Sequence, residues 1–181
     1  MGPPGVGKGT QAKILSKTLN LTHLSTGEIL RNEIKMNTKI GKIAKSFIDH
    51  GNFVPDKLVL DIISERISIT ISNEGYLFDG FPRTIPQATG FDKLLIEMGN
   101  NLDAAINLTA HENELIKRII DRGKSSGRSD EAIDIVKKRQ KIYWDQTAPL
   151  IDYYQKKNIL KNINGIGEIE EITERILQVI Y

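Results

Sequence analysis

The chain contains no cysteine among its 181 residues. This absence excludes thiol catalysis, a disulfide framework and a zinc site with cysteine ligands, and it agrees with a reducing compartment. The sequence also lacks any run of about 18 apolar residues, and its first residues lack the charged start and apolar stretch of a signal peptide. We therefore expect a cytoplasmic protein that does not enter a membrane.

Neither sign of charge predominates, because 25 Lys and Arg residues are balanced by 23 Asp and Glu residues, which leaves a net charge of +2. So small a bias gives no reason to expect a nucleic acid or a membrane surface as a partner. With 39% hydrophobic and 27% charged residues, the composition is that of one globular domain. A domain of this size buries roughly 70% of its unfolded surface and needs no disulfide or metal for stability.

Two patterns alternate along the chain. Amphipathic stretches with a period near 3.6 residues, such as 57–69 and 112–122, indicate helices. Short apolar runs at 76–78, 104–108 and 159–160 indicate buried strands. Because a strand that is covered on both faces is apolar throughout, these runs predict a parallel sheet between two layers of helices. The predicted fold class is α/β.

Capping residues and prolines mark the predicted helix starts, which are Thr26, Asp56 behind Pro55, and Asp130 for a long helix to about residue 147. Two segments stand apart from the alternation. Residues 25–54 contain a pair of helices that is larger than an ordinary crossover between strands. Residues 123–130 form a predicted polar loop, whose composition suits a moving flap and a plain surface loop equally.

The strongest single signal is the glycine-rich segment 2–10, Gly-Pro-Pro-Gly-Val-Gly-Lys-Gly-Thr. Glycines let the backbone curl so that successive N–H groups converge on a phosphate, and a helix that starts at Lys8 adds its positive end. The Lys8 ammonium can reach the β- and γ-phosphates of a nucleotide. The generic pattern has Ser or Thr directly after the lysine, whereas here Gly9 precedes Thr10. The segment predicts a phosphate-binding loop.

Together with the segments that follow it, this loop resembles that of the adenylate kinases, in their short-lid form without zinc. Matching segments occur in family order over essentially the whole chain. They are 25–31 (STGEILR), 51–56 (GNFVPD), 78–84 (FDGFPRT), Gln87, 122–128 (RGKSSGR), Lys138 with Arg139, and 147–150 (TAPL). The resemblance implies a three-layer P-loop nucleoside monophosphate kinase fold, with a parallel five-stranded sheet whose first strand is truncated here.

The same resemblance divides the chain into a core of 1–24, 55–121 and 133–181, an AMP-binding insertion of 25–54 and a short lid of 122–132. It implies a monomer that transfers a phosphoryl group reversibly from ATP to AMP with Mg²⁺, giving two ADP. Such an enzyme maintains the balance of adenine nucleotides. Its partners would be the small-molecule substrates ATP, AMP and ADP.

This reaction brings five phosphate groups together and needs charge neutralisation and in-line positioning more than covalent chemistry. It therefore requires arginines from distant parts of the chain, because a guanidinium fork matches phosphate oxygens and keeps its proton. By resemblance, Arg31 and Arg83 would hold the AMP phosphate, and Arg122 would lie over the ATP phosphates. Arg128 and Arg139 would bracket the transferred group. The predicted catalytic residues are Lys8, Asp79, Arg83, Arg122, Arg128 and Arg139.

The predicted ATP site comprises Gly5, Val6, Gly7, Lys8, Gly9, Thr10, Arg122 and Gly167. The predicted AMP site comprises Thr26, Arg31, Asn52, Phe53, Val54, Gly80, Phe81, Pro82, Arg83, Gln87, Arg128 and Arg139. The Gln87 amide can pair with the N6 amino group and a ring nitrogen of adenine. The similar pyrimidine monophosphate kinases have an asparagine-centred arrangement instead, so a UMP/CMP kinase is the alternative. A nucleotide-binding module without catalysis is a second rival, although binding alone would not require charges aimed at a transferred group.

The roles of two further residues, Asp79 and Arg118, each have two interpretations. Asp79 ends an apolar run, at the sheet edge where ligands of α/β proteins bind. It looks like the acid that holds magnesium through a water molecule, because Mg²⁺ gives up water reluctantly, and a helix cap is its alternative role. No residue is predicted to ligate a metal directly. Arg118 shares a helix face with Arg122 and either stacks on adenine or has a structural role.

The strand that would lead into the phosphate loop is missing, since only Met1 precedes Gly2. About five apolar residues would form it, and burying them contributes roughly 1.5–3 kcal/mol each, on the order of 10 kcal/mol in all. We expect that a Met-led strand rich in Ile, Leu or Val precedes Gly2 in the functional protein, and that Met1 lies at the mouth of a central slot. The alternative is a short chain whose sheet closes over the gap.

Overall fold

A computed structural model of the chain describes residues 1–69, 75–126 and 133–180, with the backbone alone for 120–126 and 133. The helices in these ranges are α1 (Lys8–Thr18), α2 (Thr26–Lys35), α3 (Lys39–Ile48), α4 (Asp56–Ile69), α5 (Ile85–Glu97), α6 (Glu112–Ser126), α7 (Ile133–Ile142), α8 (Pro149–Lys156) and α9 (Ile169–Ile180). The strands are β1 (Thr22–Ser25), β2 (Tyr76–Asp79), β3 (Ala105–Thr109) and β4 (Leu160–Asn164). A π-helical turn, Tyr143–Thr147, joins α7 to α8.

Short polar side chains fix where the helices begin. The Ser25 side chain accepts a hydrogen bond from the Glu28 N–H at 3.4 Å, so Ser25 caps α2, which begins at Thr26, and the predicted cap at Thr26 lies one residue too late. Thr84 caps α5 in the same way, through the Gln87 N–H at 3.2 Å. Each cap satisfies a backbone donor that the first helical turn leaves unpaired, which is typically worth about 1 kcal/mol.

The strands form parallel pairs that are covered on both faces. β1 pairs with β2, and β3 pairs with β4. Successive side chains of a strand point to opposite faces, and β3 shows this alternation directly. Leu108 packs with apolar residues of α1, α6 and α9, whereas Ala105 packs with residues of α5 and α8. The predicted three-layer α/β arrangement is thus confirmed.

A gap separates the two pairs of strands. Met1 lies at its edge, where the amine donates to the Ile106 carbonyl and the Met1 carbonyl accepts from the Leu108 N–H at 3.1 Å. These two bonds are the pattern of a parallel bridge between Met1 and Asn107. The predicted position of Met1 is confirmed, and the alternative of a sheet that closes over the gap is wrong.

The predicted five-stranded sheet therefore differs from the observed one. Within the described ranges there are four strands in two separate pairs, because one residue ahead of Gly2 cannot form a ladder with both β2 and β3.

The middle of the chain departs from prediction in one place. α6 continues through Ser126, so residues 123–126 are helical where a loop was predicted. Glycine and serine weaken a helix by about 1 kcal/mol or less each, and the amphipathic pattern ahead of them outweighs this cost. The rest of that predicted loop, and the predicted helix start at Asp130, lie outside the described residues. Among those residues, no helix is both long and apolar enough to cross a membrane.

Candidate active site

Gly2, Gly5 and Gly7 of the glycine-rich segment have positive φ, and the last two lead directly into α1. Gly7, at 99°, is the N-cap of α1, which begins at Lys8 as predicted. Gly5, at 89°, packs so closely on α6 that a Cβ there would lie 2.8 Å from the Leu115 carbonyl oxygen. A side chain at Gly5 would strain the backbone and displace α6. The loop thus keeps the tight curve that phosphate binding at a helix start requires.

The Lys8 side chain folds back over this loop. Its ammonium donates to the carbonyl oxygens of Gly2 at 2.7 Å and Pro3 at 3.0 Å. Its positive charge therefore lies beside the positive end of α1. An anion held by the loop would interact with both.

Asp79 lies next to the first turn of α1, where a Cβ on Gly9 would be 3.5 Å from its Oδ2. The Ser25 hydroxyl donates to the same oxygen at 3.3 Å, and His23 Nε2 lies 3.8 Å from it. The capping alternative for Asp79 is wrong, because the helix after β2 is capped by Thr84. The carboxylate is held beside the phosphate loop by a neighbour on β1.

The segment after β2 forms a closed polar network around Gln87, which is 1% exposed. Its Oε1 accepts from the Arg83 N–H at 2.8 Å, and its Nε2 donates to Asp56 at 2.8 Å. The Thr84 hydroxyl donates to the same Asp56 oxygen at 2.9 Å. From the far side, the Thr147 hydroxyl donates to the Arg83 carbonyl at 2.8 Å. These bonds fix both the Gln87 amide and the backbone that carries Arg83.

The Arg83 guanidinium is held as firmly as its backbone. Nε donates to the Gly80 carbonyl at 2.7 Å, and the guanidinium carbon lies 5.3 Å from the centre of the Phe53 ring. Gly80 has φ of 72°, and a Cβ there would be 2.9 Å from Arg83 Nη2. Glycine is therefore required at this position, both for the turn and for the close approach of the guanidinium.

A large and a small cavity adjoin at this segment. The large one, of about 1080 Å³, runs along the phosphate loop and into the gap between β2 and β3. Its polar lining brings together five predicted residues, Lys8, Arg31, Asp79, Arg83 and Arg139. The small one, of about 40 Å³, is lined by predicted AMP-site residues, Thr26, Asn52, Phe53, Val54, Gly80, Arg83 and Gln87, with Leu30 and Val59. Phe53, Gly80 and Arg83 line both cavities.

The remaining predicted residues are placed as follows. Gly5, Val6, Gly7, Gly9, Thr10, Phe81, Pro82 and Gly167 line the large cavity. The Phe81 ring itself is buried in the core, edge-on to Phe91 at 5.0 Å between ring centres. The Arg122 side chain and the whole of Arg128 lie outside the described part of the chain.

The loop that precedes α9, residues 164–168, is held by three cationic contacts. Arg175 donates to the carbonyls of Asn164 at 3.0 Å and Ile166 at 2.6 Å. Arg118 donates to the Gly165 carbonyl at 3.0 Å and to Glu114 at 2.7 Å. These bonds favour the structural role for Arg118 over stacking on a base.

Comparison with known proteins identifies the family. The family model described as adenylate kinase matches residues 1–159. An adenylate kinase of Porphyromonas gingivalis is 46% identical over 179 residues, which cover 99% of this chain and 92% of that protein. One from Parabacteroides distasonis is also 46% identical, covering 99% and 94%, and one from Leptospira biflexa is 44% identical, covering 98% and 96%.

The chain belongs to the adenylate kinase family. As a member of that family it is a phosphotransferase with the P-loop nucleoside monophosphate kinase fold. The predicted resemblance is thereby confirmed over nearly the whole chain.

Sequence reasoning missed two residues that form hydrogen bonds with the candidate site. Asp56 stands in the first turn of a helix, where a carboxylate is explained by the helix dipole alone. Thr147 precedes Ala148 and Pro149, where a small polar residue is explained as a helix start. In both cases an ordinary local role concealed a hydrogen bond to a residue that is distant in the chain.

Proposed function

We propose that this phosphotransferase moves the terminal phosphoryl group of ATP to AMP and forms two ADP. The observation that carries the proposal is that Arg83 lines both the large cavity beside the phosphate loop and the small cavity beside Gln87. A donor in the first cavity and an acceptor in the second would bring their phosphates together at one guanidinium. In-line transfer between two nucleotides requires this arrangement.

Four cations support the transfer electrostatically. Lys8, Arg31 and Arg139 come from α1, α2 and α7, and Arg83 comes from the segment between β2 and α5. All four line one cavity. Charges that are fixed in advance around the reacting phosphates stabilise the transition state without reorganisation during the reaction. In the proposed division of roles, Lys8 binds the donor phosphates, Arg31 and Arg83 bind the acceptor phosphate, and Arg139 faces the transferred group. Arg122 and Arg128 of the proposed lid would add to these charges.

The side chains beside the phosphate loop fit Mg²⁺. Asp79 and Ser25 present oxygen atoms, the ligand type that this hard cation prefers, and the carboxylate is 15% exposed and so remains reachable through a water molecule. When bound with ATP, Mg²⁺ supplies neutralisation of the phosphate charge. Asp79 would hold it through water, and the Ser25 hydroxyl fixes the orientation of that carboxylate.

The choice of acceptor base rests on Gln87. Its amide orientation is set by the Arg83 N–H on one side and Asp56 on the other, and one amide hydrogen and one lone pair remain for a base edge. These match the N6 amino group and a ring nitrogen of adenine. The proposed AMP-binding insertion, 25–54, contributes Thr26, Asn52, Phe53 and Val54 to the small cavity, so an outward movement of this insertion would widen the cavity for AMP.

A coupled assay with MgATP and, in turn, AMP, CMP, UMP and GMP tests the proposal. We expect rapid ADP formation with AMP and its deoxy form alone. Comparable turnover with CMP or UMP would overturn the base assignment in favour of a pyrimidine kinase. Nucleotide binding without turnover would favour the non-catalytic module.

A pair of variants tests the role of the shared guanidinium. Arg83→Lys keeps the charge and removes the fork, so kcat/KM for AMP should fall at least about 10-fold. Arg66→Lys, on α4, is the matched control, because Arg66 is partly exposed and lines neither cavity. A monomeric state, a cytoplasmic location and the division into core, insertion and lid remain predictions.

A further inference from the structure

A buried amide joins the helix that follows the phosphate loop to the last helix. Gln11, in the first turn of α1, is 3% exposed, and Thr173, in the second turn of α9, is 9% exposed. Gln11 Nε2 donates to the Ile169 carbonyl at 2.9 Å. The Thr173 hydroxyl donates to Gln11 Oε1 at 2.8 Å and also lies 2.9 Å from the Ile169 carbonyl oxygen. Both ends of the amide are thus engaged by α9, and we call these contacts the Gln11 bridge.

A loop that lines the large cavity precedes each of the two bridged helices. The phosphate loop precedes α1, and residues 164–168, including Gly167, precede α9. Loop 164–168 is tied to α9 itself, because Arg175 of α9 binds the carbonyls of Asn164 and Ile166. A displacement of the start of α9 would therefore carry this loop with it.

The two loops also touch each other directly. A Cβ on Gly165 would lie 3.0 Å from Val6 Cγ2, which leaves no room between loop 164–168 and the phosphate loop. Loop 164–168 is also held at Gly165, whose N–H donates to the Thr109 carbonyl at 2.7 Å and whose carbonyl accepts from Arg118 at 3.0 Å. The Gln11 bridge differs from these contacts because it joins α9 directly to α1.

We infer that Gln11 is a positioning residue that sets the span between the phosphate loop and loop 164–168, whose Gly167 lines the same cavity and would contact the base of the donor nucleotide. The inference rests on the proposed function and deepens it, since it assigns donor-base selection to a residue that touches no base. A nucleotide has a nearly fixed reach from its phosphates to its base, so a small shift of loop 164–168 misaligns one end when the other is bound. Adenine has a donor amino group where guanine has an acceptor oxygen, so such a shift weakens discrimination between them.

The chemistry of the bridge explains why an amide stands at position 11. A glutamate there would place a carboxylate oxygen against the Ile169 carbonyl, where two acceptors would repel each other. The start of α9 would then move away from α1. Thr173→Val is a milder change, because it keeps the shape of the side chain and removes the hydroxyl that donates to Gln11.

The test compares Gln11→Glu and Thr173→Val with two controls. Thr173→Ser keeps the hydroxyl, and Ile176→Val removes one methylene from the buried face of α9 without touching the bridge. The measurements are kcat, the KM values for ATP and AMP, the ratio of kcat/KM for ATP over GTP, and the melting temperature. Dissociation constants for ATP and GTP, measured by calorimetry, provide a readout that does not need turnover.

We expect Thr173→Val to raise the KM for ATP about 3- to 10-fold and to lower the ATP-over-GTP ratio, with the KM for AMP changed less than about 2-fold. Gln11→Glu should act in the same direction and more strongly. Thr173→Ser should restore the wild-type values, and Ile176→Val should lower the melting temperature alone.

Two outcomes separate this inference from the proposed function. If both bridge variants lower only the melting temperature and keep the wild-type KM values and ATP-over-GTP ratio, the bridge is purely structural and the inference is overturned. If the wild-type protein does not transfer phosphate to AMP, the proposed function fails. The inference is then decided by the dissociation constants, because the bridge variants must raise that for ATP about 3- to 10-fold and bring it closer to that for GTP.

Discussion

Two regions of the molecule differ in how well their buried polar groups are hydrogen-bonded. One is the polar network around Gln87, and the other is the gap between β2 and β3. In the network, Gln87 and Thr84 are buried at 1% and 8% exposure, and both have hydrogen-bond partners. Beside the gap, Asn107 Oδ1 and the Tyr154 hydroxyl are buried, and neither has a partner among the described residues. Hydrogen bonding of buried side chains is therefore nearly complete in the network, where partners come from turns and caps, and incomplete beside the gap.

The largest expected effect comes from filling the gap. A chain extended before Met1 by about five Ile, Leu and Val residues would continue the parallel bridge that Met1 makes with Asn107. Burial of these residues gains on the order of 10 kcal/mol, and ordering five of them costs about 5–10 kcal/mol, so a net gain of up to about 5 kcal/mol remains. The melting temperature should rise by up to roughly 15 °C.

The matched control for this extension is five residues of Ser, Gly and Asn, which cannot bury apolar surface. Thermal melts by circular dichroism compare the three chains. Equal melting temperatures for all three would show that the gap does not accept a strand. A rise that is equal in both extensions would show that removing the buried amine is sufficient.

The second effect concerns that amine. In a chain that begins at Met1, burial and then the Lys8 charge lower the pKa of the amine from 8.0 to about 5. Between these values the unfolded state binds more protons than the folded state, so the free energy of unfolding falls as the pH falls from 8 to 5. Three pH units at 1.36 kcal/mol each set an upper limit of roughly 4 kcal/mol.

Urea unfolding at pH 5.5, 6.5 and 7.5 measures this slope. The chain with the apolar extension is the control, because it keeps the same histidines and carries an amide nitrogen at position 1. The difference between the two slopes isolates the amine. Parallel slopes would mean that the amine is hydrated in solution, contrary to its enclosed position beside β3.

A smaller effect on stability is expected in the polar network around Gln87, where the buried groups have partners. Asp56→Asn replaces the acceptor shared by Thr84 and Gln87 with an amide that satisfies them less well. We expect a loss of about 1–3 kcal/mol in the free energy of unfolding, because buried donors lose partners. The Gln87 amide should turn, so the KM for AMP should rise about 10-fold while the KM for ATP stays unchanged.

Asp61→Asn on the same helix is the control for this variant. Asp61 pairs with Lys57 at 2.7 Å, but both side chains are mostly exposed, so the change should cost less than about 0.5 kcal/mol. Equal effects of the two substitutions on the KM for AMP would remove Asp56 from the acceptor site.

The two regions also differ in how far the sequence could predict them. Apolar runs predicted β2, β3 and β4, and the glycine-rich loop predicted the start of α1 at Lys8, because each of these signals is contained in a few neighbouring residues. The Asp56 bonds join residues that are 28 and 31 positions apart, so no local pattern revealed them. The helical state of 123–126 was missed because glycine and serine are typical of loops, although the helix ahead of them continues.

The smallest expected effect separates two neighbouring tyrosines on α8. The Tyr153 hydroxyl donates to Asp92, which also pairs with Lys157. The Tyr154 hydroxyl is buried without a partner among the described residues, and burial raises its pKa, so it remains a neutral group that has lost its hydration. Tyr153→Phe should therefore cost about 0.5–1.5 kcal/mol in the free energy of unfolding, whereas Tyr154→Phe should be neutral or stabilise by up to about 1 kcal/mol.

Urea unfolding at pH 7.5 measures both variants. In the chain with the apolar extension the gain from Tyr154→Phe should persist, because added strand residues without polar side chains bring no partner for the hydroxyl. A loss above about 1 kcal/mol in Tyr154→Phe would show that this hydroxyl is hydrogen-bonded, and the contrast between the network and the gap would then no longer hold at this position.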